Sequence, residues 1–190
     1  MLYWLDCEFI ESSFYHPIDL VSIGIVAEDG REYYALNYDC DWNRANDWVK
    51  QNVLTQLPEK PLPQVYATRK QFQSSEAYQQ GWRNRDSIAE EIIKFVYFNG
   101  HLDTSPQFWG EWCSYDWVVF CQLFGTMEDL PKGFPMRCRD IIQWAEDHLG
   151  LSSGDLPPSL ETDGNHNALL GALSVRDRYY WLQEKAKEMA

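Results

Sequence analysis

The spacing of apolar and polar positions changes character along this chain, and the change marks out its elements. Residues 2–10, LYWLDCEFI, form an aromatic and β-branched run too short for a core helix, so they read as a strand. IDLVSIGIVAEDG followed by REYYALNYD, over 18–39, reads as two strands joined at Asp29-Gly30, a dipeptide suited to a tight hairpin. The three strands make an antiparallel meander. From residue 41 the spacing turns helical: 41–54 is a helix capped by Asp41, and Ile88, Ile92, Phe95 and Val96 share one face of a helix over 85–98. PEKPLPQ, 58–64, is broken by prolines into a loop. Further on, 107–112 is a short buried strand, 115–125 a helix ending at glycine, 139–150 another helix and 165–189 the last. No internal repeat or linker interrupts the pattern, so residues 1–190 read as one domain. Strands first, then strand and helices in alternation, predict an α/β fold: a mixed sheet with helices packed on it.

Composition narrows the class. The chain has 190 residues, 45% of them hydrophobic, with nine Trp, eleven Tyr and nine Phe, enough apolar surface for a proper core. No apolar run approaches the roughly 20 residues that cross a bilayer, and MLYWLDCEF has no basic segment ahead of an apolar one. The expectation is a soluble, cytoplasmic protein with no membrane partner. Its five cysteines, Cys7, Cys40, Cys113, Cys121 and Cys138, are odd in number and lack C-x-x-C spacing, which fits reduced packing thiols. The net charge of −13 repels a polyanion at long range and argues against a protein that coats nucleic acid. It objects less to an enzyme that grips a few nucleotides at a chain end, where bound metal ions and local cations reverse the field. Arg69 with Lys70, Arg83 with Arg85, and Arg137 with Arg139 are the candidate cations.

Candidate chemistry starts on the first strand. Asp6 and Glu8 are two residues apart and project from one face, with Cα atoms about 6.5–7 Å apart. Alternate carboxylates on an edge strand would simply face water. Here the flanks Leu2–Leu5 and Phe9–Ile10 are apolar on both faces, as in a covered central strand, where two carboxylates are costly unless paired or bound to metal. Hard oxygen ligands suit Mg²⁺ or Mn²⁺, and two such ions can activate water and stabilise a leaving oxygen in phosphodiester cleavage. Asp116, just past FWGEW at a helix start, is a further ligand candidate, and equally a helix cap. His166, near another helix start, is a candidate general base or a structural histidine.

D-x-E on strand one, an aromatic-Asp pair at a later strand-to-helix junction and His before an A-L-L-type helix together resemble the DEDDh group of 3′-5′ exonucleases, which have an RNase H-like (DnaQ-like) fold. DCEFIE, LVSIGIVAEDGREYYAL, WVKQNVL, WRNR, YDWVVFCQLFG and HNALLGA are similar to the RNase AS family of polyadenylate-specific 3′-exoribonucleases, over about residues 1–180. The resemblance implies two metal ions, with Asp6 bridging both, Glu8 on the ion that carries the attacking water, Asp116 on the other, and His166 accepting the proton. It further implies a single-stranded RNA 3′ end as substrate, nucleoside 5′-monophosphates as products, and a homodimer in which one subunit helps form the other's RNA groove. Phe9, Tyr115, Arg85 and Arg139 are the candidate contacts to that substrate.

Two departures stand out. The family's last acidic ligand lies five residues after the histidine, and here that position is Gly171. Asp177 is six residues further, about 9 Å along the helix and turned by roughly 240°, and Asp163 precedes the histidine. Either Gly171 marks an absent ligand, so that activity is reduced or abolished and Gly171→Asp should raise it by at least about 100-fold, or it is a packing glycine that lets the helix approach the sheet. The second departure is 58–81, which reads as an insertion in which Tyr66, Arg69, Phe72 and Tyr78 either contact RNA or pack on the domain. The alternative functions are a DNA or short-oligonucleotide 3′-exonuclease and a non-catalytic RNA 3′-end binder.

Overall fold

The computed structural model describes residues 1–11, 16–61, 69–97, 106–161 and 166–189. The meander forms as its pattern requires: β1 (Leu2–Ile10), β2 (Asp19–Ala27) and β3 (Glu32–Asn37) run antiparallel, with Asp6 opposite Gly24 and Glu8 opposite Ser22. Gly30 closes the hairpin at φ 86°, a conformation L side chains rarely adopt. Three short strands complete the sheet, β4 (Trp82–Arg83), β5 (Gln107–Gly110) and β6 (Arg139–Asp140), in the order β4-β3-β2-β1-β5-β6. β4 pairs parallel with β3, β5 with β1, and β6 with β5. This mixed sheet, with helices on it, is the RNase H-like α/β architecture expected. All nine residues of β2 are buried, which is what a strand covered on both faces requires.

Each face has its own core. On one, Tyr3, Leu5, Ile23 and Ile25 pack with Phe108, with Ile88 and Ile92 of α4 (Arg85–Val96) and with Phe120 of α5 (Ser114–Gln122). On the other, Trp4, Val26 and Trp109 meet Ile141 and Ala145 of α6 (Ile141–Leu149) and Ala172, Val175 and Leu182 of α7 (Ala168–Met189). The predicted helix over 41–54 divides, because a second capping residue interrupts it. Asp41 caps a single turn of 3-10 helix, Trp42–Arg44, and Asn46 then caps α1 (Asp47–Asn52) by accepting the Val49 N–H at 2.8 Å. Two short helices, α2 (Arg69–Gln73) and α3 (Glu76–Gln79), lead to β4. Four of the five cysteines are buried, and all five are free thiols. Among the described residues no helix is long and apolar enough to cross a membrane.

The contact that positions the site is α7 on the sheet. A Cβ at Gly24 would stand 2.5 Å from the Leu169 backbone nitrogen, and one at Gly171 would stand 2.5 Å from Asp6 Cγ and 3.0 Å from Asp6 Cβ. Real atoms do not approach so closely, so two glycines on facing elements set how deeply α7 sits on β1 and β2. Gly171 therefore permits the close approach of α7, and the residue it meets is Asp6.

Candidate active site

β1 outruns β5. Only Leu2, Tyr3 and Trp4 pair with β5, so beyond Trp4 the strand has a free edge on that side. The edge is taken up by a side chain: Asp116 Oδ1 accepts the Cys7 N–H at 2.8 Å. Asp116 sits in the first turn of α5 but is not its cap, since the capping position is Cys113, whose N–H donates to Asp140 at 2.9 Å. The cap alternative for Asp116 is thus replaced by a contact that ties α5 to β1 and holds the Asp116 carboxylate beside Asp6 and Glu8. Gly110 allows the turn between β5 and α5, for a Cβ there would meet Cys113 Cβ at 2.5 Å.

Asp6, Glu8 and Asp116 open into a cavity of 570 Å³ together with His166, Phe9 and Tyr115. Six of the residues named from the sequence are therefore in one place. His166 is set by the end of α1: its N–H reaches the Asn52 carbonyl at 3.4 Å, its ring meets Trp48 edge-on with centroids 5.0 Å apart, and its Nδ1 lies 3.9 Å from Glu8 Oε1. The Phe9 and Tyr115 rings lie 5.9 Å apart, with Tyr115 59% exposed at the mouth. Gly171 lines an adjoining cavity of 370 Å³ that shares Asp6, Glu111, Glu161 and His166 with the first.

Two predicted substrate contacts are elsewhere. The Arg85 guanidinium is bonded to Asp19 at 2.9 Å, and Arg139, on β6, lies over the Trp109 ring at 5.5 Å; neither lines the cavity. Each has a partner outside the cavity, an ion pair for Arg85 and a ring face for Arg139. The same holds for Arg83, bonded to Glu91 at 2.9 Å. Phe72 packs on Tyr38 and Tyr78, and the Tyr78 hydroxyl donates to Glu91, so these two rings belong to a packed cluster beside β4. Tyr66, the Arg69 side chain and Asp163 lie outside the described residues.

The cavity also holds groups the sequence reading passed over. Glu161 joins Glu8 and His166 in a set whose ligand atoms all lie within 4.8 Å of one another. Glu111 lines both cavities and is ion-paired with Arg178. Trp48 and Trp112, 54% and 62% exposed, flank the mouth, and Trp112 holds φ 52°, an uncommon backbone state for a bulky residue. Of these, Glu111 and Trp112 carried a local signal, their place in FWGEW.

So many carboxylates in a buried space resist ionising together. Burial first, then the charges of Asp116, Glu161 and Glu8, push Asp6 well above the usual carboxylate range. Burial and Glu161 raise Glu8 to about 8. Burial raises Asp116 to about 7 against the lowering effect of the Cys7 N–H. Among the described residues no N–H donates to Asp6 or Glu8, and the one arginine lining either cavity is the paired Arg178. Oxygen donors in excess with no protein cation to satisfy them fit a hard divalent ion.

Comparison with known proteins agrees with this geometry. Residues 1–177 match the family described as the 3′-5′ exoribonuclease Rv2179c-like domain. Two curated relatives from Mycobacterium tuberculosis, 3′-5′ exoribonuclease Rv2179c of strain H37Rv and 3′-5′ exoribonuclease MT2234.1 of strain CDC 1551, are each 39% identical over 147 residues. The alignments span 77% of this chain and 75% of each relative. The chain belongs to the Rv2179c-like 3′-5′ exoribonuclease domain family.

Proposed function

We propose that the protein is a divalent-metal-dependent 3′-5′ exoribonuclease. The observation that carries the reading is the convergence of Asp6, Glu8, Asp116 and His166 in one acidic cavity where two of the carboxylates receive no N–H. In this reading Asp6, Glu8 and Asp116 hold Mg²⁺ or Mn²⁺, which when bound activates the attacking water and stabilises the leaving 3′ oxygen. His166 takes the proton of that water at a ring nitrogen, since its imidazole reaches the cavity from the α1 side and packs against Trp48, with its backbone N–H on the Asn52 carbonyl. Phe9, Tyr115 and the exposed Trp112 offer ring faces on which the bases of the terminal nucleotides stack. Stacking also suits the charge, because it grips RNA without a long basic track.

The expected products are nucleoside 5′-monophosphates, with adenylate-rich RNA preferred. A homodimer in which one subunit completes its neighbour's RNA groove is the assembly this reading carries, and light scattering at micromolar concentration tests it against a 22.3 kDa monomer. The catalytic reading is tested with 5′-labelled A, U and DNA oligomers of equal length in Mn²⁺, Mg²⁺ or EDTA. A ladder shortening from the 3′ end, present with Mn²⁺ and absent with EDTA or a blocked 3′ hydroxyl, is the expected result. Gly171 favours a second reading, a nuclease-derived protein that binds RNA 3′ ends without cutting them. Tight binding with no ladder at any Mn²⁺ concentration selects it and overturns the first.

A further inference from the structure

Position 171 offers no ligand atom, and the geometry of α7 shows that it has no room for one beside Asp6 as Asp6 now stands. The site is nevertheless not short of carboxylates. We propose that Glu161, in the segment before α7, is a metal ligand in place of a side chain at 171, sharing with Glu8 the ion on the His166 side of the cavity. The inference rests on the metal-dependent reading above.

Three observations carry it. Glu161 is oriented by the backbone: its Oε1 accepts the Asn167 N–H at 2.9 Å, so the head of α7 aims the carboxylate even though the helix bears no ligand. Glu8, only 9% exposed, points into the same set: its carboxyl is hydrogen-bonded to that of Glu161 and lies 3.9 Å from His166 Nδ1, and among the described residues no N–H donates to its carboxylate. Two carboxylates facing each other at close range without an N–H between them are held together by a shared proton or a cation. Oxygens bound at about 2.1 Å to one ion lie at most about 4.2 Å apart, and the facing Glu8 and Glu161 oxygens already lie within 4.8 Å of each other. Closing on an ion therefore needs side-chain adjustments and no movement of the fold. Glu111 does not compete for the role, because Arg178 neutralises it.

The test is Mn²⁺ binding to the purified full chain without RNA, followed by titration calorimetry and by the loss of free-Mn²⁺ electron paramagnetic resonance signal. Glu161→Gln keeps an oxygen for the Asn167 N–H and removes the charge. It should weaken Mn²⁺ binding about 10- to 100-fold, the range seen when a metal site loses a well-placed group, with the melting temperature in EDTA little changed. Glu111→Gln, which removes an equal charge from the same cavity, should weaken binding far less. Unchanged affinity in Glu161→Gln overturns the inference, and so does an equal loss in both variants, which would show a bulk charge effect. If the unmutated chain binds Mn²⁺ through Glu161 but cuts no RNA, the exoribonuclease reading falls and this one stands. No Mn²⁺ binding by the unmutated chain overturns both.

Discussion

The two halves of β1 share a strand and differ in almost everything else. Tyr3, Trp4 and Leu5 are fully buried, and the strand is paired on both edges as far as Trp4, contributing to a core on each face. Asp6, Glu8 and Phe9 continue the strand past the end of β5, where pairing is lost on one side and a helix-borne carboxylate replaces it. The first half secures the backbone geometry. The second uses that rigidity to hold carboxylates close together, an arrangement that a flexible segment would relax by moving them apart. Rigid elements are where a site of this precision is best built.

The comparison breaks most sharply by mutation on either side of residue 5. Asp6→Ala and Glu8→Ala should each lower Mn²⁺-dependent cleavage by at least about 1000-fold, because misplacing the ion misplaces the water it activates. In EDTA neither variant should melt lower than the unmutated chain, since each removes a buried group that repels its neighbours. Cleavage within tenfold of the original would remove that residue from the chemistry. Leu5→Ala should do the reverse, costing about 2–5 kcal/mol of stability as a large-to-small core change, read from urea midpoints, while cleavage below the transition stays within a few-fold. A large loss of rate in folded Leu5→Ala would show that the two halves are not separable.

β1 itself was more legible than the groups that converge on its second half. Apolar spacing is local, so the meander and the helix expected over 85–98, which forms as Arg85–Val96, could be read directly. β4 and β6 are two residues each, too short for any period to register. The helix over 41–54 divided because Asn46 is also a good cap, and periodicity does not weigh one cap against another. Asp6, Glu8, Asp116 and His166 were readable through spacing and resemblance. Glu161 was not, since nothing local says that a loop glutamate will fold back against Glu8. The arginines failed for the same reason: where a guanidinium goes is settled by the nearest carboxylate in three dimensions, Asp19 for Arg85 and Glu91 for Arg83.

A pH series sharpens the contrast with a smaller effect. In the folded chain burial raises Glu8 from its ordinary 4.5 to about 8 and Asp116 from 3.8 to about 7. The unfolded chain gives up these protons near its ordinary values, so between about pH 4.5 and 8 the folded state holds more of them. Stability from these groups is then full at low pH and declines as pH rises through that window. The melting temperature in EDTA should accordingly fall from pH 5 to pH 8, and Glu8→Gln should flatten the slope. Mn²⁺ should add stability that grows toward pH 8, because binding displaces the same protons. A metal-free melting temperature that rises across this range, equally in the chain and in Glu8→Gln, would contradict the shared burial of these carboxylates.

The smallest effect belongs to Gly171, where the two halves of β1 meet α7. Gly171→Ala gains helix propensity, about 0.5–1 kcal/mol, and loses packing, because the new methyl must displace the Asp6 carboxyl; overpacking of this kind costs about 1–3 kcal/mol. The balance is a net loss of roughly 0 to 2.5 kcal/mol from these two ranges, small because the obstructing atoms are mostly the far end of a side chain that can turn. Turning Asp6 is not neutral for chemistry, and cleavage should fall more than stability does. Gly171→Asp adds the same methylene and a carboxylate, so it tests the sequence expectation directly. If 171 is simply a missing ligand, the variant should cleave about 100-fold faster, as expected when a catalytic ion is brought into register. If Glu161 serves the ion beside Glu8 as proposed, and Asp6 is forced aside, the gain should stay below about tenfold, too small for the restoration of a missing two-metal ligand. A gain of the larger size, with Glu161→Gln then tolerated in the same chain, would move the fourth carboxylate back onto α7.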